Sequence, residues 1–106
     1  MIRAKYLREE DFHRLILTGH AGHAKYGEDI VCAGVSATVY NLLGWLENHS
    51  EELEHIQTSV DSGDVEIVCI GGENVATVFE LTAIGLEQIA QRYPDCVDIL
   101  IVGLAD

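Results

Sequence analysis

Hydrophobic spacing along these 106 residues switches from a period of two to a period of about 3.6 and then does so again, a pattern that few folds can satisfy. Ile2, Ala4 and Tyr6 alternate with Arg3 and Lys5, and residues 12–18 follow an acidic turn, which predicts two strands joined in a hairpin. Val35, Val39, Leu42, Leu43 and Leu46 then recur at helical spacing, so a helix is expected over roughly residues 30–48 with Asp29 as its N-cap. In the second cycle, residues 53–60 and 65–70 flank Asp61-Ser62-Gly63-Asp64, a sequence suited to a tight reversal. Val75, Val78, Phe79, Thr82, Leu86, Ile89 and Tyr93 share one helical face, bracketed by Asn74 as cap and Pro94 as stop. Residues 97–104, β-branched and apolar, make a final well-covered strand. The order ββαββαβ, with one main apolar stripe per helix, predicts a two-layer α+β fold: one mixed sheet of about five strands with two helices packed on it.

The length suits one compact core, so residues 1–106 are expected to form a single domain. Eighteen Asp and Glu against six Lys and Arg give a formal net charge of −12. That balance disfavours nucleic acid and anionic membranes, whose affinity for proteins comes mostly from Lys and Arg, and it favours basic partners. No apolar run approaches the ~18 residues of a membrane span, so no transmembrane helix is expected. Residues 1–8 alternate apolar with basic and lack the apolar centre of a signal peptide, which points to a cytoplasmic protein. Cys32, Cys69 and Cys96 are odd in number and widely spaced, so reduced thiols are expected.

Cys32 is the most informative of the three. Four glycines between Gly19 and Gly34 predict a tightly turned loop, and Cys32 would then open the helix that follows, where N–H groups and the helix dipole favour a thiolate. His20 and His23, at the strand-to-loop transition, are candidate bases, and the residues between His20 and Cys32 are enough to fold back and join the two side chains. A zinc ion held by His20, His23 and Cys32, with Asp29 or water as fourth ligand, is the rival chemistry; it lacks the paired ligands of structural zinc sites. Cys69, in an apolar strand pattern, and Cys96, just after Pro94, are expected to be inert. His13 and His55 fall in strands, His49 near a helix end, and Trp45 in the core.

The segment Gly19-His20-Ala21 … Gly27-Glu28-Asp29-Ile30-Val31-Cys32-Ala33-Gly34-Val35-Ser36 closely resembles the ribosomal-processing cysteine protease family, Prp, and matches its GHA and G-x-D-I-V-C-A-x-x-S signatures with their spacing. The length and element order are similar as well. The resemblance implies a small cytoplasmic endopeptidase, usually a homodimer, that removes the N-terminal extension of a large-subunit ribosomal protein after a pair of aromatic residues. It implies Cys32 as nucleophile and His20 as general base, with Gly19, Asp29 and Ser36 in supporting roles, and neither cofactor nor metal. His23 is not part of the signature. Asp29 is read as the helix cap rather than as a third residue orienting His20. Tyr26 and the loop glycines are expected to form a lid. A strongly acidic enzyme would draw in a free basic ribosomal protein and be repelled by assembled RNA. The alternative from another class is a non-catalytic module that docks on a basic ribosomal protein or assembly factor.

Overall fold

The computed structural model describes residues 1–19, 26–61 and 63–103, with backbone alone for residues 26–29. The elements run β1 (Ile2–Glu9), β2 (Phe12–Thr18), α1 (Tyr26–Asn48), a single 3-10 turn (Ser50–Glu52), β3 (Leu53–Asp61), β4 (Asp64–Gly71), α2 (Glu73–Arg92) and β5 (Val97–Val102). The five strands form one sheet in the order β3-β4-β2-β1-β5. Both hairpins and the β2–β4 pair are antiparallel, while β5 runs parallel to β1. The predicted mixed sheet with two helices is thus the fold.

Strand alternation gives the sheet one buried face. Ile2, Ala4 and Tyr6 of β1, His13, Leu15 and Leu17 of β2, Ile67 and Cys69 of β4 and Val97 of β5 all point into it. Val31, Val35, Val39, Leu42 and Leu46 of α1 close over that face with Val75, Phe79, Ala83 and Leu86 of α2. Each large side chain so covered contributes ~1.5–3 kcal/mol of burial. Both helices therefore lie on one side, and the opposite face, with Arg3, Lys5, Asp98 and Leu100, stays exposed.

Three local expectations need correction. α1 starts at Tyr26 rather than near Ile30, so Gly27 joins Gly34 inside the helix, and Asp29 is its fourth residue instead of its N-cap. Tertiary contact outweighs glycine's poor helix propensity here: Gly34 stands against Ile89 of α2, where a Cβ would lie 3.6 Å from the Ile89 side chain. In α2 the N-cap is Gly72, not Asn74. Ala76 N–H already bonds the Gly72 carbonyl at 3.0 Å, and the Asn74 side chain donates to Glu52 instead, at 2.8 Å. Finally, Ile30–Asn48 does reach the length and apolar composition of a membrane-crossing helix. Its stripe from Val31 to Leu46 is spent on the core shared with the sheet. The stop at Pro94 matches the end of α2 at Arg92, and β5 ends at Val102; Leu104 lies outside the described residues.

Candidate active site

Residues four apart on a helix stack on one face. Cys32, Ser36 and Tyr40 of α1 thus make one row, with Val35, Val39 and Leu43 beside it, and both rows border a cleft of about 340 Å³. Ile2, Leu17 and Val65 from the sheet line it too, and Val60, Asp61 and Gly63 from the β3–β4 hairpin end complete the lining. Cys32 is half-buried, and Ser36 and Tyr40 are exposed, so the thiol can be reached from the cleft. Among the described lining residues Asp61 is the sole carboxylate; most of the rest are aliphatic, which suits apolar side chains of a bound peptide.

Gly19 lines the same cleft. Its φ of +91° lies in the region glycine tolerates, and a Cβ there would collide with the Met1 carbonyl oxygen. The end of β2 is thereby turned toward the cleft by a residue that only glycine can be. The structure places Gly19, Cys32 and Ser36 along one cleft. His20 and His23, the lid segment around them and the side chains of Tyr26 and Asp29 lie outside the described residues.

The position of Cys32 departs from expectation. It is the seventh residue of α1, in the second turn rather than the first. Its N–H belongs to the helix's own i→i−4 ladder, and the dipole's influence fades beyond the first turn. The peptide N–H at Cys32 is therefore not a spare donor for an oxyanion.

Cys69 behaves as expected. All three cysteines are free. Cys69 is fully buried, and burial pushes its thiol up to about 11, which keeps it protonated and unreactive at neutral pH. Cys96 is half-buried against the core. His49, just past α1, donates from Nδ1 to the Trp45 carbonyl at 2.8 Å and stacks on the indole at 4.1 Å, so it caps an unpaired helix carbonyl. Among the described residues no group of three His, Cys, Asp or Glu could hold a metal ion. The zinc alternative needs His20 and His23, outside those residues.

Sequence reasoning missed two things. Val60, Asp61 and Gly63 reach the cleft only because β4 pairs with β2, a long-range fact with no local signal; Tyr40, by contrast, was readable as two helical turns beyond Cys32. The second is a polar pair inside the core. The Tyr6 hydroxyl and His13 Nδ1 share a hydrogen bond of 2.7 Å, and both rings stack with Phe79. His13 Nε2 is buried without a partner. Burial, helped by Arg8 and opposed by Asp11, holds His13 down at about 4. Burial likewise raises Tyr6 to about 12.

With this geometry in place, comparison with known proteins is informative. The family model described as Cysteine protease Prp matches residues 1–98. The ribosomal processing cysteine protease Prp of Mycoplasma pneumoniae is 35% identical over 82 residues, covering 77% of this chain and 80% of that protein. The protein of the same name from Staphylococcus aureus is 28% identical over 81 residues, covering 74% and 76%. Among solved structures, the S. aureus Prp protease with a covalently linked product peptide superposes with a TM-score of 0.81 at 22% identity, over 95% of this chain and 99% of that one. SMU.848 from Streptococcus mutans gives 0.77 at 31% identity, over 96% and 94%. The first of these structures bears on the fold, and the family model and the sequence relatives on lineage: this chain belongs to the Prp family of cysteine proteases.

Proposed function

We propose that the chain is an endopeptidase that removes the N-terminal extension of a large-subunit ribosomal protein, with Cys32 as nucleophile and His20 as general base. One observation carries this reading: Cys32 and Gly19 line a single cleft. His20 follows Gly19 directly in the chain. The imidazole takes the thiol proton, and Sγ attacks the scissile carbonyl carbon. The tetrahedral adduct collapses to a thioester as His20 protonates the leaving amine. Water, deprotonated by His20, then releases the carboxylate product and the thiol.

Because the Cys32 N–H is committed to the helix, the developing oxyanion needs another donor, and the Ser36 hydroxyl, one turn along the same wall, supplies one. Gly19 aims the chain that carries the base. Asp29, the fourth residue of α1, keeps the supporting role that the family resemblance implies. The apolar cleft receives the aromatic residues that the family resemblance puts before the scissile bond. The reading carries with it a cytoplasmic, homodimeric enzyme built from residues 1–106 as one domain, acting on a basic protein before assembly with RNA.

Mass spectrometry of the extended ribosomal protein after incubation with the wild-type, Cys32→Ala and His20→Ala chains tests it. Cleavage by the wild type alone is expected. Full cleavage by either variant overturns the dyad.

A further inference from the structure

Among the described residues β3 is an edge strand whose outer side has no sheet partner. Every residue from Glu54 to Asp61 is exposed. The one irregularity sits at its start, between Leu53 and His55, so His55 to Asp61 keep regular register against β4. Natural edges are usually blunted by Lys, Pro, a mid-strand bulge or a covering element; β3 has no Lys or Pro, and no described strand pairs with its outer edge. Ile56, Thr58 and Val60 pair with Cys69, Ile67 and Val65, residues of the buried sheet face, and so project to the helix side of the sheet. Ile56 is nevertheless 41% and Val60 58% exposed, because the helix layer stops short of them. Val60 and Asp61, at the end of this shelf, line the cleft that holds Cys32.

Charge decides what the edge can accept. From residue 26 to residue 91 the chain contains no Lys or Arg at all. Around the β3–β4 hairpin lie the acidic residues Glu51, Glu52, Glu54, Asp61, Asp64 and Glu66, and Arg14 of β2 pairs with Glu66 at 2.6 Å. Pairing β3 with β3 of a second copy, antiparallel about Gln57 and Thr58, would set Glu54 of one copy against Asp61 of the other. Like charges directly opposite destabilise a strand pair. An extended segment bearing Lys and Arg meets the opposite situation: its main chain satisfies the open ladder while its cations lie along acidic side chains.

We propose that the free edge of β3 is a docking strand for an extended, basic segment of the protein substrate, which adds to the sheet as a sixth strand and leads the chain into the cleft at Cys32. This rests on the peptidase reading and sharpens it: recognition extends beyond the residues at the scissile bond to a basic flank held through its backbone. Main-chain pairing supplies grip without demanding a sequence, and the Ile56, Thr58 and Val60 shelf reads alternate side chains of the added strand.

The test compares two synthetic peptides with the same cleavage site, one carrying a flank rich in Lys and Arg and one ending short of it. At low salt the wild-type chain should cleave the flanked peptide with a kcat/KM about tenfold or more above that of the short one, and added salt should erase the advantage. Glu54→Lys combined with Asp64→Lys should bring the ratio to one or below. Gln57→Pro and Thr58→Pro, tested as a pair, separate backbone from charge. Adjacent strand residues point their N–H groups to opposite sides, so one of the two spares the β3–β4 ladder and retains the wild-type melting behaviour. That variant should also lose the flank's advantage. In the Cys32→Ala chain, amide exchange of residues 55–60 should slow on adding the flanked peptide. Equal cleavage of the two peptides by the wild type, or unchanged exchange along β3, overturns the docking strand while leaving the peptidase reading intact. Failure to cleave either peptide overturns the peptidase reading itself. Edge substitutions that alter the oligomeric state but not the flank's advantage assign β3 to a copy of the chain and overturn the proposal.

Discussion

Cys69 lies directly across from His13 in the β2–β4 register, sealed in the core, whereas Cys32 stands half-buried on the wall of an open cleft. On adjacency alone, Cys69 and His13 are the better thiol and imidazole pair. Burial drives the thiol up to about 11 and the imidazole down to about 4, so both groups are neutral at pH 7 and the thiolate–imidazolium pair is opposed from both sides. No described residue of the cleft is Cys69, Tyr6 or His13. Solvation and access, more than proximity, separate a usable sulfur from a structural one, and the same sheet face carries both: Ile2 and Leu17 at the open end, Tyr6 and His13 four residues along each strand at the sealed end.

The contrast breaks most severely if the sealed thiol proves reactive. Cys32→Ala should lower kcat/KM for peptide cleavage by at least about 10³-fold. Cys69→Ala should keep the rate per folded molecule while losing about 1 kcal/mol of stability to the small cavity left behind. Parallel cleavage assays and thermal melts of the two variants check this, and alkylation at pH 7 should reach Cys32 well before Cys69.

Acid sharpens the comparison next. His13 is neutral in the folded chain and its folded value, about 4, lies below the ordinary 6.5. The unfolded chain therefore binds the proton first, and stability that is complete above pH 6.5 falls as the pH drops through 4, by about 3 kcal/mol in all. Across that range the urea midpoint of the wild type should fall relative to that of His13→Leu as the pH drops, since the variant lacks this dependence. At the open end, Gly19→Ala forces a side chain into a left-handed conformation against the Met1 carbonyl oxygen, at a cost of about 1–3 kcal/mol. Its kcat should fall further than the folded fraction explains, because the proposed general base, His20, is the next residue in the chain. The smallest effect belongs to the uncovered sheet face. Arg14 and Glu66 form a 2.6 Å ion pair there with both side chains about 40% exposed, and Arg14→Ala should cost under about 1 kcal/mol, a difference that vanishes in high salt.

Much of this was legible in the sequence because it is local. Period-two and period-3.6 spacing announced all five strands and both helices, Pro94 marked the end of α2, and i, i+4 spacing set Ser36 beside Cys32. The start of α1 was misread because Gly27, four residues ahead of the first strong apolar repeat, carries a loop-like propensity, although it lies inside the helix. That single shift moved Asp29 off the cap and Cys32 into the second turn. The hairpin's part in the cleft depends on strand order, which hydrophobic spacing does not encode. The sealed Tyr6–His13 pair gave no signal either, since Tyr6 reads as one more apolar position of β1 and His13 as an interruption in β2 until the hydrogen bond between them is seen.

β1 and β5 run side by side in the same direction, with Ile2 N–H bonded to the Cys96 carbonyl at 2.8 Å and Val102 alongside Leu7. Met1 therefore emerges beside Gly19 at the mouth of the cleft, while the end of β5 leaves from the opposite side of the molecule. An affinity tag or fluorescent partner fused ahead of Met1 would crowd the entrance and act as a tethered competitor, so a handle meant to leave turnover undisturbed belongs after β5.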